Sequence, residues 1–307
     1  MDQIKRGLRW GIESPNIFIR EANRIYYSQR YGPGYNRAGA DVIEEDWDTL
    51  IILDACRYDM FKDQNTLSGQ LETRTSRSSH TSEFLRGNFK DRTIRDTVYT
   101  TASPQLERYR DEIDVEFHTV KNVWNTDRWD DEEGTVRPED MTAAGLEAHE
   151  RYPNKRHIVH YMQPHYPFIG SSVDEGTRGF GEDTSEFDIW EQRIRGRIDM
   201  EADDVWPPYR HNLDLALDSV SDLCAQIDGK IVVTSDHGNM LGERCSPFPI
   251  REWGHPAGVY DDHLVTVPWF VVESEGRRRI TSGSRPTESD EVDTDTVNER
   301  LKDLGYV

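Results

Sequence analysis

Three polar side chains stand where apolar runs stop. Leu50-Ile-Ile-Leu is followed by Asp54, and Ile231-Val-Val-Thr-Ser is followed by Asp236 and His237. Nearly continuous apolar runs of this length read as strands covered on both faces. Ligands of open α/β sheets bind outside the carboxyl ends of such strands, so a carboxylate–imidazole pair there is placed to hold a divalent cation. The competing reading for Asp54 is a helix N-cap, which aspartate also favours. A third run, Arg156-His-Ile-Val-His-Tyr-Met162, leads into Gln163-Pro-His-Tyr-Pro-Phe168, where two prolines stop the strand and fix His165 in a turn. His255 lies between Gly254 and Pro256 in a second such turn.

A hydroxyl cluster supplies the complementary chemistry. Six of the eight residues in Thr75-Ser-Arg-Ser-Ser-His-Thr-Ser82 are Ser or Thr, and a helical stretch follows from Glu83. Such hydroxyls commonly cap helices. The same position puts a hydroxyl at the positive end of a helix dipole, where an oxyanion is favoured and a metal can activate it as a nucleophile. Arg57, Arg77, His80 and Arg86 lie close by in sequence as anion-binding candidates.

Positioning these groups requires alternating strands and helices. A leader helix is expected over 16–29, closed by Tyr31-Gly-Pro-Gly-Tyr35. Strands are expected at 47–54, 97–101, 156–162, 231–234 and 264–272, with Pro268 implying an edge position or a bulge in the last. Helices are expected at 104–111, 137–150, near 189–198 and at 211–227. The last carries the apolar stripe Leu213, Leu217, Val220, Cys224 and Ile227. Residues 122–134 read as loop, and the acidic, glycine-containing stretch 170–206 as an excursion of the lid type. The alternation predicts a three-layer α/β/α sandwich around a mostly parallel sheet. Residues 1–46 form a helical leader, 47–273 the catalytic domain, and 274–307 a polar tail with a short helix over 296–304.

Composition narrows the partners. The chain has 307 residues and a formal charge of −21, which argues against nucleic acid or an anionic membrane as a main partner. Seven of its 37 basic residues are lysine, and acidic surplus with scarce lysine fits a halophilic protein whose self-repulsion is screened by salt. The three cysteines, Cys56, Cys224 and Cys245, have no CxxC spacing, so a reduced, cytoplasmic compartment is expected. No run has the roughly 18 apolar residues of a membrane span. Met1-Asp-Gln-Ile-Lys-Arg-Gly-Leu-Arg-Trp10 lacks a signal-peptide core and reads as an arm or a weak membrane-surface helix.

In order along the chain, Leu50-Ile-Ile-Leu-Asp54, the hydroxyl-rich helix start at Thr81, Pro164-His-Tyr-Pro167, Thr234-Ser-Asp-His-Gly-Asn-Met-Leu-Gly-Glu243 and Gly254-His255 resemble the alkaline phosphatase superfamily, in its sulfatase-like branch. The resemblance covers residues 47–272, and Ser-Asp-His-Gly…Leu-Gly-Glu is its most specific part. It implies that Asp54, Asp236 and His237 bind metal and that the residue opening the helix, Thr81 first and Ser79 second, is the nucleophile. By the same resemblance His165 and His255 bind a second metal or contact the substrate oxyanion. One departure redirects the chemistry. The Cys-x-Pro-x-Arg or Ser-x-Pro-x-Arg motif of formylglycine sulfatases is missing, since the region reads Ser78-Ser-His-Thr-Ser82.

The expectation is therefore a hydrolase or transferase of phosphate esters with a covalent intermediate on Thr81 or Ser79. It would use one or two divalent ions (Zn, Mn or Ca) on Asp54, Asp236, His237 and His255. His165 and Arg57 would assist catalysis, and Arg77 and His80 would bind an anionic ester, free or linked to glycan or lipid. A sulfuric ester hydrolase, a mutase and a non-catalytic metal-stabilised binding protein are the alternatives.

Overall fold

The computed structural model describes residues 15–171, 188–273, 276–283 and 292–306. Its organising element is a seven-stranded sheet. In spatial order the strands are β2 (Gly69–Thr75), β11 (Thr266–Val272), β8 (Ile231–Thr234), β1 (Thr49–Leu53), β7 (Arg156–Tyr161), β3 (Thr93–Thr101) and β4 (Glu116–Asn122). β8, β1, β7, β3 and β4 run parallel, whereas β11 is antiparallel to both β8 and β2. Small antiparallel pairs are formed by β5 (Trp129–Asp130) with β6 (Thr135–Val136), and by β9 (Met240–Arg244) with β10 (Arg251–Gly254).

The period of two along the central strands divides the core. Ile51, Leu53, Val159, Tyr161, Ile231 and Val233 face one layer. That layer contains α2 (Tyr58–Gln64), α6 (Pro138–Arg151), α8 (Ala202–Cys224) and α10 (Thr294–Asp303). Leu50, Ile52, Ile158 and Val232 face the other layer, built from α3 (Thr81–Phe89), α4 (Gln105–Arg108) and α5 (Arg110–Ile113). This is the expected three-layer sandwich. Leu50 and Ile51 are fully buried on opposite faces, so truncating either to Ala costs about 2–5 kcal/mol. A third cluster seats α1 (Pro15–Tyr31) through Ile17 and Tyr27 against Met240, Ile250, Tyr260 and Leu264. The short α7 (Ile189–Ile194) and α9 (Asp262–Val265) flank the β9–β10 pair and β11.

Three differences from the sequence reading have local causes. β2 and β4 are extra strands. β2 is an outer strand with one apolar residue, Leu71, and mostly exposed positions, so it has no hydrophobic run to read. Pro268 is not on an edge, because β2 lies outside β11. β8 stops at Thr234 opposite Trp269, so the ladder on that side starts one residue after the proline and asks no N–H of it. Helix α8 begins at Ala202 rather than 211 and contains Pro207 and Pro208. Its start is fixed by the capping box between Glu201 and Asp204. Residues 1–10 and part of the expected excursion, 172–187, lie outside the described residues. Among the described residues no helix is long and apolar enough to cross a membrane.

Candidate active site

Three strand ends and one helix start meet at the carboxyl edge of the sheet. Asp54 follows β1, Asp236 and His237 follow β8, His160 is the penultimate residue of β7, and Thr81 is the first residue of α3. All five are fully buried. The backbone laces them together. Asp54 N donates to Tyr161 O at 3.2 Å, and Asp54 O accepts from His165 N at 3.2 Å. Ala55 adopts a left-handed φ of 58°, a conformation costing a non-glycine residue roughly 1–2 kcal/mol. That turn aims Ala55 N at Asp236 Oδ1, 3.0 Å away, and the Tyr209 hydroxyl holds Ala55 O. Ser78 Oγ donates to Asp236 O at 2.6 Å. Gly238 follows because the chain passes against α9: a Cβ there would lie 2.1 Å from His263 O, and Gly238 N donates to Leu264 O at 2.7 Å.

Thr81 Oγ1 is the focus. It lies 3.3 Å from Asp54 Oδ2, 3.3 Å from His237 Nε2 and 3.2 Å from the Tyr306 hydroxyl. Ser79 is directed elsewhere: its hydroxyl donates to Glu83 Oε2 and Pro256 O, both at 3.0 Å. His80 caps α3, its Nδ1 accepting from Ser82 N at 3.1 Å, and its ring centroid is 5.4 Å from that of His255. His165 Nε2 and His255 Nε2 are 3.3 Å apart, and His255 Nδ1 is 3.2 Å from Asn239 Oδ1.

The two arginines are engaged away from this cluster. Arg57 pairs with Asp59 at 2.7 Å and with Glu243, donates to Asn239 O at 3.1 Å, and lies 4.8 Å over the Trp206 ring. Arg77 bonds Asp41 at 3.0 Å and Gly87 O at 2.6 Å. Neither guanidinium takes a partner among the residues around Thr81.

A cation fits the remaining polar atoms. Among the described residues Asp54 Oδ1, Asp236 Oδ2 and His160 Nε2 are buried without a hydrogen-bond partner. Ligand atoms of these three residues lie within 4.8 Å of one another. His237 Nδ1 donates to Gly238 O at 2.8 Å, which leaves the Nε2 lone pair 3.3 Å from Asp236 Oδ2 and 3.8 Å from Asp54 Oδ1. Two carboxylates and an imidazole lone pair converging in a dry site repel one another unless a cation stands between them. The titration of the carboxylates shows the same conflict. Burial and the charge of Asp54 push Asp236 up. Burial also opposes ionisation of Asp54, but the His160 contact and the neighbouring imidazoles of His165 and His237 outweigh it and hold Asp54 down. Mixed O and N donors of this kind suit zinc or manganese, and the carboxylates admit calcium.

Two members of the site were not singled out in the sequence. His160 is held at Nδ1 by the Tyr99 hydroxyl at 2.8 Å and presents Nε2 to Asp54 Oδ2 at 3.6 Å. The available signal was a second histidine inside a buried strand run. Tyr306 follows α10 and places its hydroxyl 3.1 Å from Asp54 Oδ2. No local pattern announces it.

No protein-family model matches the sequence, and a search of curated proteins returns no match. Among solved structures the chain is similar to the zinc complex of the C-terminal periplasmic domain of EptC from Escherichia coli, with 13% identity, 77% of this chain and 76% of that chain covered, and a TM-score of 0.45. It is also similar to the soluble domain of lipooligosaccharide phosphoethanolamine transferase A from Neisseria meningitidis, with 11% identity, 72% and 75% covered and a TM-score of 0.45. An alkaline phosphatase superfamily protein from Vibrio parahaemolyticus matches at 12% identity, with 84% and 65% covered and a TM-score of 0.41.

Proposed function

We propose that this chain is a metal-dependent hydrolase or transferase of phosphate esters, with Thr81 as its nucleophile. The observation that carries the reading is the position of Thr81 Oγ1. It is 3.3 Å from both Asp54 Oδ2 and His237 Nε2, beside carboxylate oxygens that have no partner of their own. Asp54, Asp236 and His237 would hold a divalent ion, with His160 in reach as a fourth ligand. When bound, the ion supplies a lowered hydroxyl pKa and neutralises charge on the transferring group.

The chain's own groups then divide the work. Asp54 and His237 orient the Thr81 oxygen, which forms a bond to phosphorus as the ester oxygen leaves, and water or an acceptor alcohol later breaks the Thr81–phosphorus bond. His165 and His255 lie together on the same edge of the sheet and serve as donors or second-site ligands for the non-bridging oxygens. His80 stands beside them at the α3 N-terminus, which favours an anion. Arg57 brackets the site indirectly, through Asn239, the partner of His255. Residues 47–273 supply every member of this set. An unmodified threonine favours phosphate over sulfate, since sulfate esterases of the resembling branch use formylglycine. High-salt, cytoplasmic residence remains part of the reading on the charge and cysteine pattern given above.

The test is metal analysis of the purified protein in high salt, with assays on aryl phosphate mono- and diesters and an aryl sulfate. A bound divalent ion with turnover of a phosphate ester is the expected result. Bound metal with equally poor turnover of every ester by wild type and Asp236→Ala would leave a metal-stabilised binding protein.

A further inference from the structure

The proposed nucleophile cannot be reached in the conformation described. Thr81 is fully buried, and Asp54, Asp236 and His237 around it have no exposed surface. An ester must nevertheless bring its phosphorus to Thr81 Oγ1. Tyr306 is the half-buried residue whose hydroxyl rests on that oxygen, at 3.2 Å, while also meeting Asp54 Oδ2 at 3.1 Å. Its ring lies face to face on His165, with centroids 5.0 Å apart and planes 21° from parallel.

The backbone that delivers Tyr306 is a defined turn. Val297, Leu301 and Leu304 bury one face of α10 in the core. Gly305 then takes φ +74°, with Gly305 N donating to Lys302 O at 3.0 Å and Tyr306 N to Leu301 O at 2.9 Å. This is the paired closure of a Schellman motif, which reverses the chain at a helix end. The helix is anchored and Tyr306 N is tied to Leu301 O, so the phenol ring is the part that can turn, about its own side-chain bonds. Beside Tyr306 is a cavity of about 210 Å³, lined by Arg20, Arg24, His80, Trp190, His255 and Tyr306 itself. A cavity of about 150 Å³ accepts a benzene ring, so this one has room for the phenol.

We infer that Tyr306 is a gate on the nucleophile. Its ring turns about its side-chain bonds into the adjoining cavity to admit the ester, and its hydroxyl returns to Thr81 and Asp54 between turnovers. The role assigned to Thr81 rests on the function proposed above. The covering of the histidines by Tyr306 does not.

Both parts are tested on the full chain in high salt with Tyr306→Ala, Tyr306→Phe and Tyr306→Val. Diethylpyrocarbonate labelling, read by peptide mass, measures solvent access to His165 and His255. Opening the gate should raise their labelling rate at least about fivefold in Tyr306→Ala, with Tyr306→Val intermediate and Tyr306→Phe near wild type. Labelling of His157, buried at the opposite end of the sheet, should not change, and this separates local access from unfolding. If Tyr306→Ala misfolds, the Val variant carries the comparison. In parallel, kcat/KM for an aryl phosphate should rise severalfold in Tyr306→Ala. Unchanged labelling of His165 and His255 in both truncated variants would overturn the gate. So would loss of turnover in Tyr306→Phe as deep as in Tyr306→Ala, which would make the hydroxyl part of the chemistry. Faster labelling with no ester turned over by any variant would retain the gate and sink the phosphoesterase reading.

Discussion

The two ends of strands β1 and β7 make opposite use of the same residue types. Asp48, just before β1, is 1% exposed and fully satisfied. It accepts from Arg277 at 2.9 and 3.0 Å, from Lys230 N at 2.8 Å and from Arg278 N at 3.1 Å. Nearby, His149 stacks on His157 at 3.9 Å and takes a 2.8 Å bond from Arg278. Six residues on, Asp54 faces Asp236 and two histidines; among the described residues no arginine or lysine contacts it, and three buried polar atoms of the group have no partner. A buried carboxylate that carries its own arginine is a structural tie. Buried carboxylates that meet each other and an imidazole lone pair instead define a place for a cation from solution.

The contrast breaks first at Asp236 and Thr81. Asp236→Asn should abolish stoichiometric divalent metal and lower kcat/KM on an aryl phosphate by about 10³-fold or more, the several kcal/mol that a lost metal ion represents. Chelator should lower the melting temperature of wild type and leave that of Asp236→Asn unmoved, since only the former has a ligand to lose. Thr81→Ala should be as inactive while still binding metal, with Ser79→Ala within about threefold of wild type, a gap well above ordinary surface effects. Metal retained in Asp236→Asn, or activity following Ser79, would erase the difference between the two ends.

At the opposite end the effects should be on stability alone. Asp48→Asn removes the carboxylate charge and one of the two oxygens that accept from Arg277, and should cost about 2–3 kcal/mol in urea unfolding, with metal content unchanged. The histidine pair adds a pH dependence. Burial, then the charges of neighbouring groups, lower His149 to about 2 and His157 to about 3. Their folded values lie below the unfolded value near 6.5, so the unfolded chain binds more protons in acid. Stability is thus complete above about pH 6.5 and falls as pH drops through 6 and 5. The two together should remove about 3 kcal/mol between pH 7.5 and 5.5. His149→Phe should flatten that slope by about half. A slope unaffected by the substitution would place the acid sensitivity elsewhere.

The halves of this comparison were unequally visible in the sequence. Asp54, Asp236 and His237 could be read because each ends a buried run, and a strand end has one direction in a parallel sheet. Thr81 could be read as a helix start, but its choice over Ser79 depends on Glu83 and Pro256 O capturing the serine, a contact between distant segments. His160 was hidden inside a strand whose apolar character was the stronger signal. Tyr306 was hidden because its place depends on the Gly305 turn and on α10 docking across the sheet. The Asp48 network was invisible for the same reason: two of its donors, the Arg277 guanidinium and Arg278 N, come from 229 and 230 residues away.

The smallest expected effect tests whether the metal-side end is held as firmly as the structural end. Tyr209 reaches from α8 to the carbonyl of Ala55, the left-handed residue whose N–H fixes Asp236. Tyr209→Phe keeps the ring and removes one buried hydrogen bond, so it should cost about 1 kcal/mol in stability. If the Ala55 turn sets the Asp236 carboxylate, metal affinity should also drop, by about tenfold, as for other outer partners of metal ligands. A stability loss with unchanged metal affinity would show that Asp236 is positioned by His237 N and Ser78 without help from the strained turn. The rigid frame would then belong to the β8 end alone.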